Sequence, residues 1–471
     1  MTECSQTSFS FASQTKREVV ARFDGGAITS EAGALLLHRT EQKTSILGQF
    51  AGCFRDYRDP ERIDHSVAEL VSQRVYGLAL GYEDLNDHDQ LRSDPLLAML
   101  SGKADVEGQT RRLKRDRGKA GAGKSTLNRL ELTPADADEK SRYKKITLDT
   151  EAVDKTLVDL YIQRQPRQPK QIVLDLDATD DRLHGNQEGR FYHGYYGGYC
   201  YLPLYIFSGE HLVCARLREA SQDAAAGALD EAEPIVAQLR RKWPGVAIVL
   251  RADSGFCREE LMRWCERNQV DYVFGLAKNK RLLKRIRKAQ HKAHRRYLAS
   301  GKAARVFRQF RYRTLKSWSR KRRVVAKAER LEKGNNPRFV VTSLSAAQLD
   351  ARSLYEDFYC ARGEMENRIK EQQLGLFADR TSTSLMRSNQ IRLYFSSITY
   401  CLLQALRELG LKGTKMARAQ CSTIRVRLLK IGARVRVTAR KVWISMATGH
   451  PAQALFQAVY SNLARGEPQR C

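Results

Sequence analysis

Residues 171–181 read QIVLDLDATDD, and their alternation decides the fold. With a two-residue period, Ile172, Leu174, Leu176 and Ala178 share one side of a strand, while Asp175, Asp177 and Thr179 share the other. A strand in a buried sheet does not carry two carboxylates uncompensated. Either they coordinate cations at the strand's exposed end, or they pair with Arg182 and Arg190 as structural ion pairs. A second stretch, AIVLRADSGF at 247–256, again ends an apolar run on an acid, Asp253, followed by a glycine turn and a helix start. That is where α/β proteins carry ligands, although a plain helix N-cap also uses Asp. The third stretch, YCARGEMENRIKE at 359–371, puts Tyr359, Arg362, Glu366 and Lys370, with Gln373 beyond, on one helical face. A carboxylate flanked by cations suits a site for metal and phosphate, and an ordinary surface ladder of i,i+4 pairs has the same spacing. As a set, Asp177, Asp253 and Glu366 are the candidate catalytic metal ligands. Acidic side chains so arranged hold two divalent cations about 4 Å apart, which clamps both oxygens of a phosphoryl displacement.

Around these acids the element order is three strands (172–178, 197–207 and 211–219), a helix (225–243), a strand (247–252), a helix (258–268) and a strand (271–277). This predicts a mixed α/β core whose first three strands form an antiparallel meander, the order of the RNase H-like nucleases and integrases. Residues 338–344 read as a further strand and 346–377 as a long helix. The expected domains are a mostly helical, DNA-binding N-terminal domain (1–165), the core in two parts (166–278 and 337–410), a basic insertion (279–336) and a basic, helical C-terminal region (411–471). In the first of these, Asp59-Pro60-Glu61 predicts the start of a helix running through Val67 to Leu78, and another helix starts near Ser125.

The chain has 471 residues and a formal net charge of +29, and the excess is uneven. Between Lys280 and Lys333 stand 22 Lys and Arg against only Glu329 and Glu332. Clustered cations of this kind bind phosphate backbones by releasing counterions. Within the segment, 305–315 and 321–331 alternate as strands, which predicts a β-rich insertion. Its aromatics Phe307, Phe310, Tyr312 and Trp318 suit either base stacking or a small core of their own. No apolar run approaches the roughly 18 residues of a membrane helix, and the N-terminus lacks an apolar signal region. The expected location is therefore cytoplasmic, associated with the nucleoid. The ten cysteines contain no C-x-x-C pair and read as reduced thiols.

Taken together, LDLDATDD at 174–181 with HGNQ at 184–187, GYCYLPLYIFSG at 198–209, RADSGF at 251–256, YCARGEMENRIKE at 359–371, Asp379-Arg380 and Asn389-Gln390 carry a resemblance. The chain resembles the DDE transposases of bacterial insertion sequences, in the group with a Y-x2-R-x3-E-x6-K signature, and most of all the family numbered thirteen-eighty. The resemblance spans roughly residues 15–410. It implies Asp177, Asp253 and Glu366 as ligands of two Mg2+ or Mn2+ ions, and Tyr359 and Arg362 as contacts to transposon-end DNA. It implies DNA cleavage at terminal inverted repeats and joining of the 3′-hydroxyl to target DNA, by a homodimer. The signature's last Lys falls on Gln373, so Lys370, one turn earlier, is the candidate replacement on DNA. An idle DNA-binding regulator and a stand-alone metal-dependent nuclease are the competing readings.

Three further signals carry less. GKAGAGKS at 118–125 fits the P-loop pattern letter for letter, but the charged QTRRLKRDR before it is no buried strand, so no nucleotide is expected. His184, His193, His211, His291 and His294 are too dispersed for a metal site. The tyrosine-rich YHGYYGGYCY at 192–201 is expected to pack within a sheet, with stacking on nucleic acid the alternative.

Overall fold

The computed structural model describes residues 8–12 and 17–465. Contacts divide the chain into two compact units, one of residues 1–149, 375–377 and 398–471, the other of residues 150–374 and 378–397.

The first unit is mainly helical, with helices at Leu35–Thr44, Val67–Leu80, Lys124–Glu131 and Gln453–Ala464 among its members. The helix expected from Asp59 begins later. Asp59 caps only a short 3-10 turn, Pro60–Arg62. The α-helix starts at Val67, where Ser66 and Glu69 form a reciprocal capping box that satisfies two otherwise orphaned amides. The C-terminal region is not purely helical: strands Ala433–Val437 and Val442–Met446 pair with each other, and the first also pairs with Ile28–Thr29. Alternating Val and Arg in RVRV favour that extended form. The P-loop-like stretch follows a 3-10 turn, Lys114–Asp116, and the Nζ of Lys124 lies 3.5 Å from Asp89.

The second unit holds the carboxylates. It opens with α1 (Thr150–Arg164) and β1 (Gln171–Ala178), followed by β2 (Asp181–Arg182), β3 (Phe191–His193), β4 (Gly198–Tyr201), β5 (Leu204–Ser208) and β6 (His211–Arg216). Then come α2 (Ala228–Lys242), β7 (Ala247–Ala252), α3 (Glu259–Arg267) and β8 (Asp271–Leu276). In the large sheet the order runs β6, β5, β1, β7, β8, with β1 parallel to β7 and β7 parallel to β8, so the first three form the expected antiparallel meander. The single strand expected over 197–207 is two strands, because Pro203 between them has no amide to donate. As a result β4 leaves the large sheet and pairs with β2 and β3 in a separate three-stranded ribbon.

The basic segment is only partly β. Lys280–Ser300 is a helix, α4, capped by the Asn279 side chain, and its Leu282, Ile286, Ala289 and Ala293 form a buried stripe at 3.6-residue period. Dense Lys and Arg on the remaining face masked that stripe in the sequence. Strands β9 (Ala304–Tyr312), β10 (Arg322–Leu331) and β11 (Gly334–Asn335) follow, and β12 (Arg338–Thr342) bridges β8 to β10. These strands extend the large sheet, and Leu282, Ile286, Tyr312 and Trp318 belong to the same core cluster as Leu174 and Leu250. The aromatics of this segment are thus mostly structural. Among the described residues no helix is long and apolar enough to cross a membrane.

If the stripe anchors α4, Ile286→Ala costs about 2–5 kcal/mol in denaturant unfolding of this unit. Lys288→Ala, on the exposed face, stays within about 0.5 kcal/mol.

Candidate active site

The two acids on β1 have different fates. Asp175 is buried and accepts from Arg251 of β7 twice, Nε at 2.5 Å and Nη2 at 2.7 Å. The third guanidinium nitrogen of Arg251 donates to the backbone carbonyl of Phe358. One arginine therefore ties β1, β7 and the segment leading to Tyr359 together. Asp177, two residues on, lies at the end of β1 just past Leu176, the register partner of Ala252 on the parallel strand β7. Asp253 follows Ala252 directly, so the two acids end adjacent strands, whose axes lie about 4.8 Å apart. Neither acid on β1 pairs with Arg182 or Arg190 as one sequence reading allowed.

Asp253 does cap the short turn Ser254–Phe256, accepting from the Gly255 amide at 2.7 Å. The N-cap reading of this acid thus holds, with Oδ1 as the capping oxygen. Beside it, Gly275 of β8 is required by space: a Cβ there would lie 2.6 Å from the Tyr359 hydroxyl and 3.0 Å from the Asp253 carbonyl carbon.

The expected long helix over 346–377 is helical from Ala351 to Gly375 but irregular. A wide π turn at Leu354–Tyr359 and a tight 3-10 turn at Cys360–Arg362 precede α5 (Gly363–Lys370), and another π turn follows at Glu371–Gly375. Such departures gather at functional sites because they re-aim side chains. Here they turn Arg362 inward, where its guanidinium lies 3.3 Å from Asp177 and 2.9 Å from Glu366. Burial first, then the charges of Asp253 and Glu366, push the Asp177 carboxyl up to about 6 against the pull of Arg362. The Arg362 guanidinium, which burial alone would weaken, is held protonated by Asp177, Tyr359, Glu366 and Asp253. Arg362 therefore feels all four of the others, and the structure brings Asp177, Asp253, Glu366 and Tyr359 around it. Lys370 stays exposed.

Gln373, at the signature's lysine position, donates to the Asp180 carbonyl at 3.2 Å and to Asp181 Oδ1 at 2.8 Å. Asp181 is fully buried, its Oδ2 has no partner among the described residues, and burial raises its carboxyl to about 8. A neutral amide suits a neutral acid there. Sequence reasoning missed Asp181; its only signal was its place as the fourth acid of LDLDATDD at 174–181.

Oxygen donors of this kind suit hard divalent ions. As they stand, however, Arg362 bridges two of the acids, and among the described residues no three Asp, Glu, His or Cys side chains are gathered closely enough to hold a metal ion. The donor chemistry fits a cation, with the Arg362 guanidinium now between Asp177 and Glu366.

A family model described as "Transposase DDE domain group 1" matches residues 11–468. The chain belongs to the DDE transposases. Members of this family generally use divalent metal ions. No curated protein matches this DDE transposase. Among solved structures, it is similar to the piggyBac transposase of a synaptic complex with hairpin DNA, at a TM-score of 0.39 and 12% identity over 93% of this chain and 83% of that one.

Two outcomes follow for this transposase. Removing one partner of the buried pair, as in Asp175→Ala, costs about 3–5 kcal/mol of stability in denaturant titration. Asp181, raised from an ordinary 3.8 to about 8 in the fold, binds a proton on folding between those values. Its stabilising contribution is complete below about pH 4 and is lost as pH rises towards 8, by up to about 1.4 kcal/mol per pH unit. Asp181→Asn flattens that slope in unfolding measured across pH 5–8.

Proposed function

We propose that the chain cleaves DNA at the ends of a bacterial insertion sequence and joins the freed 3′-hydroxyl to target DNA by two-metal-ion catalysis. The observation that carries this reading is the meeting of Asp177, Asp253 and Glu366 around Arg362, in a chain of the DDE transposase family. Supporting it, the sheet order β6-β5-β1-β7-β8 with acids at the ends of β1 and β7 is what an RNase H-like core requires. The three carboxylates are the proposed ligands of two Mg2+ or Mn2+ ions. Bound there, such ions would activate the attacking oxygen and stabilise the leaving one.

The chain's own residues have separable tasks. Arg362 neutralises the acids before cations enter and, once displaced, offers a planar fork to a phosphate. Tyr359, packed over Gly275, fixes the position of Arg362 and contacts the DNA end. Lys370, exposed on α5, meets the DNA backbone further out. The exposed cations of α4 supply the non-specific attraction to duplex DNA, and the helical N-terminal unit reads the terminal repeats. A homodimer serves the two ends, in the cytoplasm at the nucleoid. The thirteen-eighty family is the proposed affiliation.

The test is incubation with a terminal-repeat duplex, a target plasmid and Mg2+. Joined products are expected, and Asp177→Ala, Asp253→Ala and Glu366→Ala each lower their yield at least about a thousandfold while DNA binding persists. Cleavage without joining would mean a nuclease, and binding alone a regulator.

A further inference from the structure

The ribbon of β2, β3 and β4 does not do what tyrosines in a sheet usually do. Packing was expected for residues 192–201, yet Tyr192, Tyr195 and Tyr199 are 54%, 87% and 45% exposed, and neighbouring Phe191 is 47% exposed. Large aromatic rings left in water at this density mark a contact surface. The rings are held rather than loose. Tyr192 and Tyr199 are register partners on β3 and β4 and meet edge to face at 5.6 Å. The ribbon itself is pinned by the Leu183 amide on the Tyr199 carbonyl at 2.9 Å and by Arg182 on the Tyr196 carbonyl at 3.2 Å. Its turn is open, since a Cβ at Gly194 or Gly197 would meet nothing within 4 Å.

Charge and position narrow the partner. Arg190 lies 4.7 Å from the Tyr199 ring centroid, and Arg182 stands beside it on β2. Of the carboxylates at the ribbon, Asp181 is buried, Glu188 accepts from the Met386 amide at 3.0 Å, and Asp180 lies 3.6 Å from Arg182, leaving Arg190 with no carboxylate beside it in 182–201. The ribbon also adjoins the catalytic acids: it begins four residues after Asp177, and the charges of Asp180 and Asp177 help burial raise the Tyr196 hydroxyl to about 12. Exposed aromatic faces interleaved with guanidinium groups bind unpaired nucleotides, because every base has a face to stack and every nucleotide a phosphate to pair.

We infer that the β2–β3–β4 ribbon is a stacking platform for unpaired bases of the DNA strand at the cleavage site, with Tyr192, Tyr195 and Tyr199 as the stacking rings and Arg182 and Arg190 as the phosphate contacts. This rests on the catalytic reading of Asp177. Duplex DNA offers no free base faces along its length, so the platform discriminates frayed or single-stranded ends from intact duplex.

The test compares fluorescence anisotropy, without divalent metal, of a blunt terminal-repeat duplex and the same duplex with a short unpaired tail. Wild type binds the tailed DNA about tenfold more tightly or better, and Tyr195→Ala and Tyr192→Ala each lose about tenfold on tailed DNA and nothing on blunt DNA. Photo-crosslinking of 5-iodouracil placed in the tail attaches it to these tyrosines. Equal binding of the two DNAs by wild type, equal loss on both by the variants, or a change in self-association by sedimentation in place of a change in DNA binding, overturns the inference. A tyrosine-dependent preference without Mg2+-dependent cleavage leaves the platform standing and removes the catalytic reading, and cleavage without the preference does the reverse.

Discussion

The arginine at 251 organises the centre of the second unit. A buried carboxylate on β1 would be costly alone, and a buried guanidinium on β7 equally so. Bonded through two parallel hydrogen bonds across neighbouring strands, each offsets part of the other's penalty, and the nitrogen left over reaches the Phe358 carbonyl. The strand ends bearing Asp177 and Asp253 and the segment bearing Tyr359 and Arg362 are thereby fixed relative to one another. A catalytic constellation tolerates errors of only about 0.5 Å, and elements far apart in sequence need such a tie.

Around that tie the acids are close but not idle. Burial, and after it the like charges of Asp253 and Glu366, raise the Asp177 carboxyl, and Arg362 pulls it back. The same cation lies 3.3 Å from Asp177 and 2.9 Å from Glu366.

Much of this was legible in the sequence because it rests on short-range periodicity. The two-residue alternation of 171–178 and the apolar run before Asp253 marked the strands, and Tyr359, Arg362 and Glu366 stood at helical spacing. What was not legible depended on tertiary partners. Nothing local says that Asp175 meets Arg251 seventy-six positions away, or that Arg362 turns inward on a 3-10 turn that follows a π turn. The stripe of α4 was hidden by its charge, and Pro203 split one expected strand into two. Of the tyrosines of 192–201, Tyr201 is buried as packing predicts, and only the structure leaves Tyr192, Tyr195 and Tyr199 uncovered.

The central claim is that Asp177, Asp253 and Glu366 share bound divalent metal once DNA engages Arg362. Replacing Mg2+ with Fe2+ and ascorbate in the DNA complex, then mapping where hydroxyl radicals cut the polypeptide, addresses it most directly. The account predicts cuts clustered near residues 177, 253 and 366, suppressed by excess Mg2+ and by Asp253→Asn. Cuts confined elsewhere, or none above the DNA-free background, would contradict it.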